Sequence, residues 1–234
     1  MRQTPTGKIV FWGCLWGFAV LILSVILDPS PESFTLGVSI TLSGFYTWLL
    51  YLTRDHWIKR LTHKPVRNAI IVGSLNAAVI ETIFLLVEKI FGATGVAAHP
   101  NLLIDLLMTM PWYIAMVWLF VRVQKTERFS AAGVLLLGAV YEMGADGIIG
   151  GVIIPGIMGE PVKLLEFLIL SGLIAFWQFI PVYSSMVLPP TWILNAGLPE
   201  ESDSKSRWWR GLIPLVALIP FLIYVILLIL VISQ

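Results

Sequence analysis

Two carboxylic acids four residues apart, Glu142 and Asp146, sit within the apolar run Tyr141-Glu-Met-Gly-Ala-Asp-Gly-Ile-Ile-Gly-Gly151. On a helix this spacing puts both acids on one face, in a stripe with Gly138 and Gly150. Acids at membrane depth are costly and usually face a bundle interior or a wet cavity. Their chemistry there is narrow: a general acid or base, a proton carrier, a ligand for a cation, or a neutral hydrogen-bonding group that holds helices together. Glu81 and Glu88 lie seven apart in another apolar run, hence on nearly the same face, and Asp105 lies near the start of a third. Glu160 and Glu166 flank Lys163 at three-residue spacing, which also suits a structural ion-pair set at a helix start. The candidate ligand-binding or proton-carrying residues are therefore Glu81, Glu88, Asp105, Glu142, Asp146 and Glu166. Glu81, Glu142 and Asp146 are the deepest, and none has a cationic neighbour in the sequence. Any metal held by such a set is expected to be a hard divalent cation, since all the donors are oxygens.

The elements that position these acids follow from composition. Of 234 residues, 58% are hydrophobic and 12% charged, and the mean hydropathy is +0.88. Such a chain is an integral membrane protein. Its apolar runs reach the roughly 20 residues that a helix needs to cross the hydrocarbon, and they lack the alternation of a membrane β-barrel. Seven spans are expected, at about 9–27, 34–52, 68–91, 102–121, 131–154, 162–182 and 211–232, forming one transmembrane domain. The first run has no small-x-small cleavage site after it, so it reads as a span rather than a signal peptide. Pro111 is expected to kink the fourth span, and Pro214 and Pro220 fall in the last. Residues 184–210, with Pro189-Pro190 and Glu200-Glu201, read as the longest connection.

Charge sets the orientation. Thirteen of the fifteen Lys and Arg residues, all but Lys89 and Lys163, fall at the N-terminus and in connections 2–3, 4–5 and 6–7. Seven alternating spans put these four places on one side, so the N-terminus is expected in the cytoplasm and the C-terminus outside, in a multi-pass protein of the cell membrane. All the acids within spans then lie in the middle or outer half. The glycines around Asp146 have two readings: close helix packing through Gly147-x-x-x-Gly151, or a helix easily broken to expose backbone groups.

Several chemistries are excluded. One cysteine, Cys14, permits neither an intrachain disulfide nor a cysteine metal cluster. No P-loop or dinucleotide fingerprint occurs, and no histidine cluster of the zinc type. The adjacent glutamates of CAAX-type membrane proteases occur only in a connection, and the last span has no central lysine of the retinal-binding kind. The basic connections carry no nucleic-acid module. Three functional readings fit what is left. One is binding or translocation of a proton, a cation or a small cationic solute. Another is a membrane-embedded enzyme doing acid/base chemistry on a lipid or isoprenoid. The third is a structural or assembly subunit whose acids serve packing. Besides the lipid bilayer, the partner is then a small cation or a lipid-like ligand.

Overall fold

The computed structural model describes residues 4–157, 174–196 and 207–232, and all elements within them are helical. They are α1 (Pro5–Leu27), α2 (Pro31–Leu61), α3 (Pro65–Phe91), α4 (Leu102–Glu127) and α5 (Ala131–Glu142). A π-helix (Met143–Ile153) continues α5 into α6 (Ile154–Ile157). The remainder comprises α7 (Phe176–Asn195), α8 (Trp208–Gly211), a 3-10 turn (Ile213–Ala217) and α9 (Leu218–Ile232). Among the described residues, 6 helices are long and apolar enough to cross a membrane. The chain is a multi-pass helical membrane bundle.

Local sequence marks the helix ends. Thr4, Ser30, Asn101 and Ser130 each accept a backbone N–H of the following first turn, satisfying donors that have no intrahelical partner. Pro5, Pro31 and Pro65 occupy first-turn positions, where a missing N–H does no harm. Gly92, at φ 69°, ends α3 in the left-handed region.

The bundle is built around α7, which packs against α1, α2, α3, α4 and α5. This helix contains Pro181, Pro189 and Pro190. A proline has no N–H, so it leaves the carbonyl four residues earlier without its helical donor. Pro189 strips Ser185 in this way, and the Asn76 amide of α3 donates to the Ser185 carbonyl at 2.7 Å. Asn76 in turn accepts from the Tyr46 hydroxyl of α2 at 2.8 Å. Pro190 strips Met186, and α3 approaches that carbonyl so closely that a Cβ on Gly73 would lie 3.0 Å from it. The hydroxyls of Thr47 and Ser184 share a hydrogen bond at 2.6 Å. In α4, Pro111 strips Leu107, whose carbonyl accepts from the Tyr224 hydroxyl of α9 at 2.7 Å. Water is absent from hydrocarbon, so each of these donors has to come from the protein.

Contacts join particular connections at the two ends of the bundle. Phe34 stacks on Phe91, and Thr94 N–H donates to Glu32, joining connections 1–2 and 3–4 at one end of α2. At its other end Tyr51 and Trp57 pack on Trp192. Glu127 pairs with Arg210 at 2.6 Å, bringing connections 4–5 and 6–7 together.

Several boundaries differ from expectation, among them α4, which runs to Glu127, past the expected end at 121. Helix α2 runs on to Leu61, through residues read as connection. Hydropathy marks the edge of the hydrocarbon, whereas a helix continues into water, and Lys59 and Arg60 suit its C-terminal dipole. Helix α7 reaches Asn195, beyond the expected end at 182, and the Asn76 amide answers the Ser185 carbonyl that Pro189 releases within it. The last span is divided by the 3-10 turn containing Pro214. Pro111 lies inside the unbroken α4.

Asn76→Leu is expected to leave both the Ser185 carbonyl and the Tyr46 hydroxyl unpaired and to destabilise the bundle by about 1–2 kcal/mol. Tyr46→Phe removes only the outer bond and should cost less. Unfolding in mixed micelles measures both.

Candidate functional site

The deep acids come from three elements and meet at two tyrosines. Glu81, partly buried on α3, accepts a 2.5 Å hydrogen bond from the Tyr113 hydroxyl of α4. Its carboxyl also faces that of Asp105, one helical stretch earlier on α4. Asp105 is fully buried; Oδ1 accepts the His99 N–H at 3.1 Å, and Oδ2 has no hydrogen-bond partner. On the other side of the cluster Glu142, 4% exposed, ends α5 and faces Asp146. The Tyr183 hydroxyl of α7 stands beside it and accepts from the Trp112 indole N–H at 3.0 Å. Glu142 Oε2 is buried without a partner. The two halves touch through the Tyr113 and Tyr183 rings, whose centroids are 5.8 Å apart. Glu81 is close enough to both Asp146 and Glu142 to feel their charge.

The expected stripe is present but leaves the core part-way: Gly138 and Glu142 are buried, whereas Asp146 and Gly150 are exposed. Asp146 belongs to the π-helix. A π-turn holds more residues than an α-turn and often marks a functional site. Glycine removes the β-carbons that would crowd it, and Gly144 lets the backbone approach α9 and the 3-10 turn. A Cβ there would lie 2.8 Å from Leu218 and 2.9 Å from Leu215. The glycine-rich segment is therefore neither a simple packing seam nor a break; the helix widens and carries on.

Glu88 has other work. It is buried, and Oε2 accepts the N–H groups of Val96 at 2.8 Å and Ala97 at 2.6 Å. With Asp105 holding His99, it shapes the connection between α3 and α4. His99 Nδ1 accepts from Asn101 N–H at 2.9 Å, an ordinary loop contact. Glu166, with Glu160 and Lys163, lies outside the described residues.

Among the described residues no Lys or Arg forms an ion pair with Glu81, Asp105, Glu142 or Asp146. Nor do three or more of their His, Cys, Asp and Glu side chains gather closely enough to hold a metal ion. The hard divalent cation expected from the donor types thus finds no ready-made cage in this part of the chain. Comparison with protein-family models, curated proteins and solved structures finds no match.

Tyr183 had no signal in its spacing, because it falls just past the expected end of the sixth span at 182. Trp112 and Tyr113 fall in line with Asp105 along α4, and each brings a polar tip into an apolar run.

Removing the Glu88 carboxylate by Glu88→Ala should leave two loop N–H groups unpaired and destabilise the 92–101 connection by about 1–3 kcal/mol. Faster amide exchange at Val96 and Ala97, with the acid cluster unaffected, is the expected result.

Proposed function

We propose that this chain is a seven-span protein of the cell membrane, with a cytoplasmic N-terminus, that binds and moves protons through its acid–tyrosine cluster. The observation that carries the reading is the pairing of acid with acid, Glu81 with Asp105 and Glu142 with Asp146, with no Lys or Arg paired to them among the described residues. Two carboxylates facing each other only repel, whereas one carboxylic acid donates a hydrogen bond to the other. An unpaired buried charge costs on the order of several kcal/mol, far more than a hydrogen bond returns. Each pair therefore works best sharing a proton. A shared proton would also give a buried acid oxygen such as Glu142 Oε2 or Asp105 Oδ2, each without a hydrogen-bond partner, a role in the pair.

The exposed Asp146 is the port of the cluster. A proton taken there passes to Glu142, beside which the Tyr183 hydroxyl can both accept and donate. Tyr113 offers the same service to Glu81. Intramembrane acids in such chains are the usual carriers in proton relays. Site opening on the non-cytoplasmic side follows from the expected orientation.

A second reading rests on the exposure of Asp146 next to exposed Ile148. An acid opening onto an apolar surface is placed to protonate a lipid or isoprenoid chain. Lipid extracts of cells with and without the gene distinguish this case, since proton movement alone leaves their composition unchanged.

The direct test uses proteoliposomes with a pH-sensitive dye inside and an imposed membrane potential. Wild-type vesicles are expected to take up protons, and Glu142→Gln and Asp146→Asn to slow uptake at least about tenfold while staying folded. Uptake no faster than in empty liposomes, or equal in wild type and Glu142→Gln, would overturn the proposal. Amide variants that change stability alone would leave the acids a packing role.

A further inference from the structure

A second polar site lies at the other end of the bundle from the loop that Glu88 holds. Between α4 and the 3-10 turn is an open cavity of about 270 Å³, lined by Arg122, Thr126, Glu127 and Arg210, with Leu119 and Ile213 on its walls. Its two guanidiniums are not equivalent. Arg210 is held by Glu127 at 2.6 Å, and Glu127 also accepts the Arg207 N–H at 3.1 Å. Arg122 lies over the Trp118 ring, 3.9 Å from its centroid, and has no ion-pair partner among the described residues. Among the described residues that line it, the cavity thus carries two guanidiniums and one carboxylate.

Its surroundings are those of a membrane boundary. Trp118 and Trp209 are exposed beside the arginines, and Leu212, Ile213 and Val216 present an exposed apolar surface next to them. Arg122 and Lys125 lie within two turns of the end of α4, on the side read as cytoplasmic from the positive charge. A soluble anion would use the guanidiniums and leave that apolar wall unused. A phospholipid uses both: a forked guanidinium matches phosphate oxygens, while acyl chains lie along leucine and isoleucine. Cytoplasmic leaflets are rich in anionic lipid, and basic pockets between spans suit its headgroups.

We propose that this cavity binds the phosphate headgroup of an anionic phospholipid, with Arg122 as the principal contact and Arg210, positioned by Glu127, as the second. The lipid then joins α4 to the C-terminal span at the cytoplasmic face. This site is independent of the acid cluster.

Thermal unfolding of the purified full chain in detergent, with added phosphatidylglycerol, phosphatidylcholine or inorganic phosphate, tests it. Phosphatidylglycerol is expected to raise Tm in a saturable way, and the other two to do little. Arg122→Gln, on an exposed side chain, should weaken that dependence about tenfold or more, as expected for one charge-assisted contact. Lys125→Gln removes the same charge from outside the cavity and should leave it unchanged. Retention of phosphatidylglycerol in native mass spectra gives the same comparison without unfolding. Equal stabilisation by phosphatidylcholine, a full effect of phosphate alone, no effect of phosphatidylglycerol, or equal losses in Arg122→Gln and Lys125→Gln would each overturn the proposal.

Discussion

A carbonyl released by proline inside a membrane bundle has no water to turn to, and the arrangement of this protein depends on how that need is met. Pro189 in α7 and Pro111 in α4 each free a carbonyl, and each is answered from another helix, by Asn76 and by Tyr224. These bonds are modest in energy, about 1 kcal/mol each. Their value lies in direction. A side-chain amide reaching a single carbonyl fixes the rotation and depth of one helix against its neighbour in a way that apolar contact does not. With α7 so fixed between α2, α3 and α5, Tyr183 faces Trp112 and Glu142 rather than lipid.

The same requirement sorts the acids into two kinds. Glu88 and one oxygen of Asp105 are occupied by backbone N–H groups and give shape to a connection. Among the described residues, Glu81, Glu142 and Asp146 face tyrosines and other carboxyls, Asp105 among them. Backbone donors stabilise an ionised carboxylate, whereas a second carboxyl stabilises a shared proton. Two chemically identical side chains, Glu81 and Glu88, seven residues apart on one helix, are thereby given different tasks. The π-helix adds to this by carrying Asp146 to the surface while Glu142 stays inside, so that one acid meets the surroundings and the next does not.

How much of this could be read beforehand follows from what each signal measures. Apolar runs are long and continuous, so the helical membrane bundle was legible, as were acids that interrupt them; Glu142 and Asp146 stood out because nothing near them in sequence answers their polarity. Partnerships were not legible. Asn76 and Tyr183 acquire meaning only through α7, and Ser184, Ser185, Pro189 and Pro190 resemble a loop unless donors on other helices are known. The task of Glu88 depends on two backbone N–H groups eight and nine residues later, which no residue type announces. Glycines around Asp146 pointed to close packing or an irregular helix, but residue type alone did not give the π-turn, nor the closeness of Leu215 and Leu218 to Gly144.

The central claim is that Glu142 shares a proton inside the bundle, and infrared spectroscopy of the full chain in lipid observes that proton directly. Carbonyl stretching of a protonated carboxylic acid is separate from the bands of carboxylate and amide. Wild-type protein at neutral pH is expected to show such a band, reduced in Glu142→Gln and altered in position by Asp146→Asn through the lost neighbour. A wild-type spectrum with carboxylate bands alone, or a protonated-acid band untouched by Glu142→Gln, would contradict the account.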